Sequence, residues 1–232
     1  MHEFIRYNSP PVSIDSDLVL WVGITAQKRS WMEQIEGQYR IVQALRKHHS
    51  SITVIVDGWI SLADGVPDSP KDIARDMAVY ESLNKRLGKL KNVNVINVIG
   101  KDYNEKVSYA QRVDYFIANS GTGGMVPMMF AKAKGVIHSN SKLHTFSRAY
   151  NSTVEIVPNE KIMAQDLSLD SGVYSIDWKV IYNLLMKLMS LEERLTESSV
   201  LKNKLYFNFK RFIFKKNIQI GMAIKKLKLR AS

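Results

Sequence analysis

Short unbroken apolar runs alternate along this chain with stretches whose apolar residues recur every three or four positions. Leu18-Val19-Leu20-Trp21-Val22-Gly23-Ile24 is the first run, and such a run suits a strand buried on both faces. Ile35, Tyr39, Ile41, Val42 and Leu45 then share one face of a helix predicted over about 32–48. Ile52-Thr53-Val54-Ile55-Val56 reads as a second strand, closed by Asp57-Gly58. Residues 58–71 are rich in Gly, Pro, Asp and Ser and predict a loop. Ser69 as N-cap and Pro70 at the first position start a helix whose apolar residues at 73, 77, 80, 83, 87 and 90 carry it to about Leu90.

The same alternation fills the second half. Val93 to Ile99 is a third strand ending at Gly100, and a short helix is expected over about 104–112. Asp114 to Asn119 is a fourth strand, followed by a helix over about 124–134. Gly135-Val136-Ile137-His138 and Thr153-Val154-Glu155-Ile156-Val157 are the fifth and sixth strands, and a helix over 177–190 closes the unit. Alternating strands and helices predict an α/β fold with a mainly parallel six-stranded sheet. The expected organisation is an N-terminal extension over 1–14, one domain over 15–190, and a helical tail over 191–232 interrupted near Asn217 or Gly221.

Composition refines this picture in two places. The chain has 232 residues, 45% of them apolar and 24% charged, which is ordinary globular composition. It contains no Cys, so disulfides, thiolate metal sites and Cys nucleophiles are excluded. The net charge of +11 is unevenly placed: residues 201–232 hold ten Lys/Arg and no acid, which leaves 23 basic against 22 acidic residues in 1–200. Partner arguments from charge therefore belong to the tail. No stretch has the roughly 18 apolar residues needed to span a bilayer. The start, Met1 to Arg6 and then Pro10-Pro11, lacks the apolar core of a signal peptide, so a cytoplasmic location is expected.

The sharpest chemical signal is a strand running into Asn119-Ser120-Gly121-Thr122-Gly123-Gly124 and a helix. Small residues there let a ligand approach the backbone, the first helical amides favour a phosphate, and Ser120 and Thr122 add hydroxyl donors. The alternative is a tight strand-to-helix turn whose glycines serve packing. Lys28-Arg29 falls beyond the carboxyl end of the first strand, where open α/β sheets bind ligands and a guanidinium could clamp a diphosphate; a solvated surface pair is the other reading. His138-Ser139-Asn140 ends the fifth strand on that edge, and His144 and Arg148 follow, all able to bond a sugar, base or phosphate. Asp57 is either a ligand-facing carboxylate or a turn former, and His48-His49 suits a helix C-terminus. The loop after the first strand lacks G-x-G-x-x-G, and no P-loop motif occurs. Five His and no Cys form no metal cluster, and no Ser-His-Asp arrangement is legible.

The basic loop after the first strand, Asp57-Gly58, Ile99-Gly100, Val113 through Gly124, and Gly135 to His138 together resemble the C-terminal donor-binding half of GT-B glycosyltransferases. The likeness is nearest to bacterial surface-polysaccharide and heptosyltransferase-like enzymes and covers about 17–160. It implies a single Rossmann-like domain with the basic tail appended. It also implies a nucleotide-sugar donor held by Ser120, Gly121, Thr122, Gly123 and Gly124, with Lys28 or Arg29 beside it; Asn119, His138 and Asn140 join the expected donor site from their place on the same sheet edge. The donor would be a substrate, so no cofactor and no metal are expected. The acceptor would be a glycan or a lipid-linked glycan, and the catalytic base is unassigned, because in the family a second domain usually supplies it. A separate acceptor-domain chain is an implied partner.

Three readings compete: a glycosyltransferase or its donor-binding half, a non-catalytic nucleotide- or sugar-phosphate-binding subunit, and a nucleic-acid binder. The neutral body and the lack of any RNA- or DNA-binding motif oppose the third. In the tail, Leu201, Leu205, Phe209 and Phe212 fall on one side of a helix, with Tyr206 and Ile213 beside them. Cations with aromatics suit an anionic membrane surface, so peripheral attachment to the inner face of the cytoplasmic membrane through 200–232 is expected. The alternative is that this apolar side packs back on the body.

Overall fold

The computed structural model describes residues 9–26, 29–62, 66–139, 150, 152–164 and 172–197, with 212, 213 and 216 of the tail. Six parallel strands form the sheet: β1 (Leu18–Gly23), β2 (Ile52–Asp57), β3 (Val93–Asn97), β4 (Tyr115–Asn119), β5 (Lys134–His138) and β6 (Val154–Ile156). Their order across the sheet is β3-β2-β1-β4-β5-β6. The α/β class and the single parallel sheet predicted from the periodicity are therefore present, with the strand order of a Rossmann-like domain.

Five helices cover the sheet: α1 (Gln34–Leu45), α2 (Pro70–Leu87), α3 (Tyr103–Ala110), α4 (Thr122–Val126) and α5 (Trp178–Leu188). Alternation along the central strands explains the two layers. Leu18, Leu20 and Val22 of β1 join Ile41 and Leu45 of α1, Leu83 and Leu87 of α2, and Ile181 and Leu185 of α5 in one core. Val19 and Trp21 point the other way, into a core with Val107 of α3, Val126 of α4, and Phe116 and Ile137.

Element ends follow local chemistry. Ser69 is the N-cap of α2 and Pro70 its first residue, but the Ser69 hydroxyl donates to the Asp72 carboxylate at 2.7 Å and accepts no N–H of the first turn. Helix α2 stops at Leu87, short of the predicted Leu90, which is buried in the following turn. The third strand stops at Asn97, whose side-chain oxygen accepts the N–H of Ile99 at 2.9 Å and turns the chain. Asp102 and Glu105 form a reciprocal capping box at the start of α3.

Two features depart from the predicted pattern. The helix expected over 124–134 begins at Thr122 and changes at Pro127 into a π-turn over Pro127–Ala131. Proline has no N–H to continue the ladder and its ring crowds the preceding turn, so the register widens there. The region between β6 and α5 adds an antiparallel pair, β7 (Met163–Ala164) and β8 (Tyr174–Ser175), and Tyr174 also bridges Trp31. The last described stretch of the body packs on the same core through Leu191 and Leu195.

Gly135 in β5 lies under the ring of Phe116, where an added Cβ would sit 2.3 Å from the ring. Gly135→Ala should destabilise by about 1–3 kcal/mol through overpacking. Phe116→Leu in the same chain should recover part of that loss. Urea unfolding of the single and double variants checks this, and additive losses would contradict it.

Candidate functional site

The strand order reverses between β1 and β4, and the two loops leaving their carboxyl ends part to open a crevice of about 240 Å³. It is lined from the β1 loop by Gly23, Thr25 and Arg29, from the β2 loop by Asp57, Gly58 and Trp59, from α2 by Asp76, and from the β4–α4 turn by Asn119, Ser120, Gly121 and Gly123. The strands come close enough for this because residue 23 is glycine: an added Cβ would lie 3.2 Å from the Cβ of Ala118 on β4.

Arg29 projects across the crevice. Its backbone is left-handed (φ 51°), an uncommon conformation for a residue with a side chain and one that clusters at functional sites. Its guanidinium lies over Gly121, with Nη2 3.4 Å from where a Cβ of that residue would be. The Nε of Arg29 is buried without a hydrogen-bond partner. Gly121 itself has φ 134°, which only glycine adopts readily. Its amide is already engaged and not open to an anion, because it donates to the Tyr150 hydroxyl at 3.0 Å. That hydroxyl lies 3.4 Å from Ser120 Oγ, and the Ser120 amide donates to the His138 carbonyl at 2.8 Å. The first turn of α4 follows directly, and its amides have no earlier turn of that helix to bond.

The opposite wall is acidic and buried. Asp57 is 3% exposed, and its Oδ1 receives Lys106 Nζ at 2.5 Å. Lys106, also 3% exposed, donates further to the carbonyls of Gly58 at 2.8 Å and Trp59 at 3.4 Å, so one ammonium fixes the whole β2 turn. Burial pushes the Asp57 carboxyl above the ordinary range, and the attraction of Lys106 works against this. Asp57 Oδ2 faces Gly123, 3.6 Å from the position of a Cβ there. Asp76 accepts the N–H of Ala26 and the N–H of Trp59, both at 2.8 Å. Burial pushes its carboxyl up to about 6 against those two hydrogen bonds.

Of the residues singled out from the sequence, the structure brings Arg29, Asn119, Ser120, Gly121 and Gly123 together in the crevice. Gly124 lies behind it, its α-carbon turned toward Ile137, and Thr122 opens α4. His138 is not brought to the crevice. It is 2% exposed, its Nδ1 pairs with the Tyr174 hydroxyl at 2.6 Å, and its ring meets Trp31 edge-on. Burial pushes it down to about 3, so it is a neutral core residue. Lys28, Asn140, His144 and Arg148 lie outside the described residues. His48 pairs with Glu193 at 2.8 Å just beyond α1. Sequence reasoning missed Asp76, Lys106, Trp59 and Tyr150. For Asp76 and Lys106 a signal existed: each is a charged residue placed on the apolar face of its helix, beside Ile73 and Tyr80 or Val107 and Ala110.

No family model and no curated protein matches the chain. Among solved structures, it is similar to UDP-GlcNAc 2-epimerase from Methanocaldococcus jannaschii, at 12% identity and TM-score 0.46, over 97% of this chain and 48% of that one. It is also similar to a UDP-forming α,α-trehalose-phosphate synthase from Burkholderia xenovorans, at 8% identity and TM-score 0.45, over 98% and 46%. A third is an α,α-trehalose 6-phosphate synthase from Burkholderia multivorans, at 9% identity and TM-score 0.43, over 99% and 45%. The chain thus spans less than half the length of each. The fold assignment rests on the observed strand order, and the site on its own geometry.

His138 and Asp76 act on stability in opposite directions. A histidine held near 3 in the folded state and near 6.5 when unfolded contributes stability that is complete above pH 6.5 and lost as pH falls toward 3. Asp76, raised from 3.8 to about 6, contributes stability below pH 3.8 that is lost as pH rises through 6. Between about pH 6 and 3.8 the two slopes, each at most about 1.4 kcal/mol per pH unit, oppose each other, so the His138 contribution is read as the difference between wild type and variant. In urea unfolding, His138→Gln should lose less stability than the wild type as pH falls from 6.5 toward 3, and the same pH dependence in both would contradict a buried neutral His138.

Proposed function

We propose that the crevice binds the phosphate or diphosphate of a nucleotide-activated sugar, and that the chain is a GT-B-type glycosyltransferase or the donor-binding half of one. The observation that carries this reading is Arg29: a strained, half-buried guanidinium over Gly121, at the switch point of a Rossmann-like sheet, with Nε unpartnered. A planar guanidinium can hold two phosphate oxygens at once. Ser120 and Gly123, at the turn that opens α4, line the same crevice and would add polar contacts to an anion held there. Direct transfer of a sugar develops charge on the leaving diphosphate, and donors fixed in advance lower the barrier by stabilising it. The sequence resemblance extends the reading to bacterial cell-surface polysaccharide, including lipopolysaccharide, with a glycan or lipid-linked acceptor.

One observation favours a binding half over a complete enzyme. Asp57 is tied to Lys106 and Asp76 to two backbone amides, so the carboxylates of the crevice are already engaged. An acceptor base would then come from a separate acceptor-domain chain, or the protein would be a non-catalytic nucleotide- or sugar-phosphate-binding subunit. Turnover of a nucleotide sugar by this chain alone separates the two.

The tail supports attachment to an anionic membrane. No helix among the described residues is long and apolar enough to cross a bilayer. Phe212 and Ile213 are 62% and 39% exposed, so these apolar residues are not spent on the body. Ten cations without an acid surround them between 201 and 232. Each cation near an anionic surface is worth about 1 kcal/mol.

Two measurements test this. Thermal stability should rise with at least one of UDP, GDP, CMP or their sugars, and Arg29→Gln should weaken that binding by about ten- to a hundredfold, the worth of a charged hydrogen bond. Gly123→Val, which places a branched side chain beside Asp57, should abolish it in a protein whose far-ultraviolet circular dichroism shows it folded. Absence of any stabilisation, or normal binding by either variant, would overturn the site. In liposome co-sedimentation, binding should need anionic lipid, weaken with salt, and disappear when 200–232 is deleted. Equal sedimentation of the shortened chain would overturn the membrane role.

A further inference from the structure

A carboxylate is a costly group to place in a crevice that receives phosphate, because it repels the ligand's charge. Asp76 is there nonetheless, 1% exposed. It projects from the early part of α2 and spans two loops. Oδ1 accepts the N–H of Ala26, on the loop leading from β1 to Arg29, and Oδ2 accepts the N–H of Trp59, on the loop leaving Asp57. The sheet ladder between these strands ends one step earlier, where the Ile24 amide donates to the Asp57 carbonyl at 2.8 Å. Beyond that rung the backbones separate, and the Asp76 carboxylate bridges them. Residue 58 is glycine for the same reason: an added Cβ would sit 2.8 Å from Asp76 Oδ2 and 3.1 Å from its Cβ.

We propose that Asp76 is the positioning residue of the crevice, setting the spacing between the Arg29 loop and the Asp57 loop and so the affinity for a phosphorylated ligand that it does not itself hold. This rests on the reading of the crevice as a nucleotide-sugar site. Both carboxylate oxygens are engaged by backbone donors, so the residue acts through the loops. A carboxylate suits the task because it is acceptor-only and can take two N–H groups at once. An amide offers one acceptor oxygen and turns its NH₂ toward the second N–H.

Two effects therefore have opposite signs in Asp76→Asn. Removal of a negative charge alone would tighten binding of an anion. Loss of one loop tether weakens it. The same holds for protonation, which converts one oxygen to a donor. The carboxyl lies near 6, so the wild-type crevice should lose affinity as pH falls through that value. The charged groups around Asp76 are Asp57 with Lys106 at the β2 end, Asp72 with Arg75 on α2 itself, and Arg29 on the β1 loop.

The test uses the full chain with UDP-glucose, GDP-mannose and CMP-sialic acid, which lack the phosphomonoester proton that titrates near pH 6. Calorimetric titration should show about tenfold weaker binding by Asp76→Asn than by the wild type, the worth of one hydrogen bond. Amide hydrogen exchange at Ala26 and Trp59 should speed up in the same variant. Wild-type affinity should drop as pH falls through about 6, and that of Asp76→Asn should not follow. Gly58→Ala, which pushes the carboxylate from the other side without changing any charge, should weaken binding likewise and serves where Asp76→Asn does not fold. Equal or tighter binding by Asp76→Asn, unchanged exchange at the two amides, or the same pH response in wild type and variant overturns the positioning role alone. Failure of the wild type to bind any of the three overturns the functional reading and this proposal with it.

Discussion

The reversal of strand order between β1 and β4 is the constraint on which the rest of the carboxyl edge depends. Successive right-handed crossovers carry the chain outward from β1 to β3, and the next one returns it to the other side of β1. The loops leaving β1 and β4 must then diverge to opposite faces of the sheet, since α1 and α4 lie on different layers. A crevice opens between them whatever the side chains are. What the sequence adds is close approach, through Gly23 against Ala118, and a turn at Gly121 that no larger residue would adopt easily.

A crevice at that position exposes the interior of the sheet to polar chemistry, and the buried charges answer to it. Asp57 closes β2 at the depth of the core, where an isolated carboxylate would cost several kcal/mol. Lys106 compensates it from α3, and because its remaining hydrogens reach two carbonyls of the same turn, the pair is closed on the protein side. Asp76 is compensated differently, by backbone amides and not by a cation. The acidic wall is therefore organised inward, toward its own loops. Arg29 is organised outward, with its Nε unmatched and its conformation strained. On the proposed reading, that asymmetry lets the crevice favour an anion despite two carboxylates in its lining.

Much of this was legible in the chain, and the physical reason is period. Runs such as Leu18 to Val22 and Ile52 to Val56 are apolar at every position but Thr53 because both faces of the sheet are covered, so they could not be mistaken for solvent-facing strands. The position of Arg29 and of Ser120 to Gly123 followed from knowing which end of a parallel strand faces ligand. Rotamer-level facts did not follow. His138 ends β5 on the carboxyl edge, as expected, yet its side chain turns inward to Tyr174, because alternation along a strand decides which face a terminal residue takes. Trp31 and Tyr174 meet only because the β7–β8 pair folds back beside the β1 loop, a contact between residues 143 positions apart that no local pattern encodes. Tyr150 reaches the glycine turn from 29 positions away, and nothing around it in the sequence marks it as a site residue.

Asp76 and Lys106 show where periodicity carries more than secondary structure. A charged residue within the apolar stripe of a helix has two outcomes: it is paired, or the stripe is not a core face. Here the neighbours settle the second question, since Val79, Leu83 and Leu87 on α2 and Val107 and Ala110 on α3 are all buried. The two charges must then be satisfied within the protein, and the nearest polar groups on offer are those of the loops at the carboxyl ends of β1 and β2. A charge stranded on a core face near the start of a helix in a parallel α/β fold thus points to the loops that form the crevice at the carboxyl edge. The constraint that makes the residue expensive to bury is what ties it to the site.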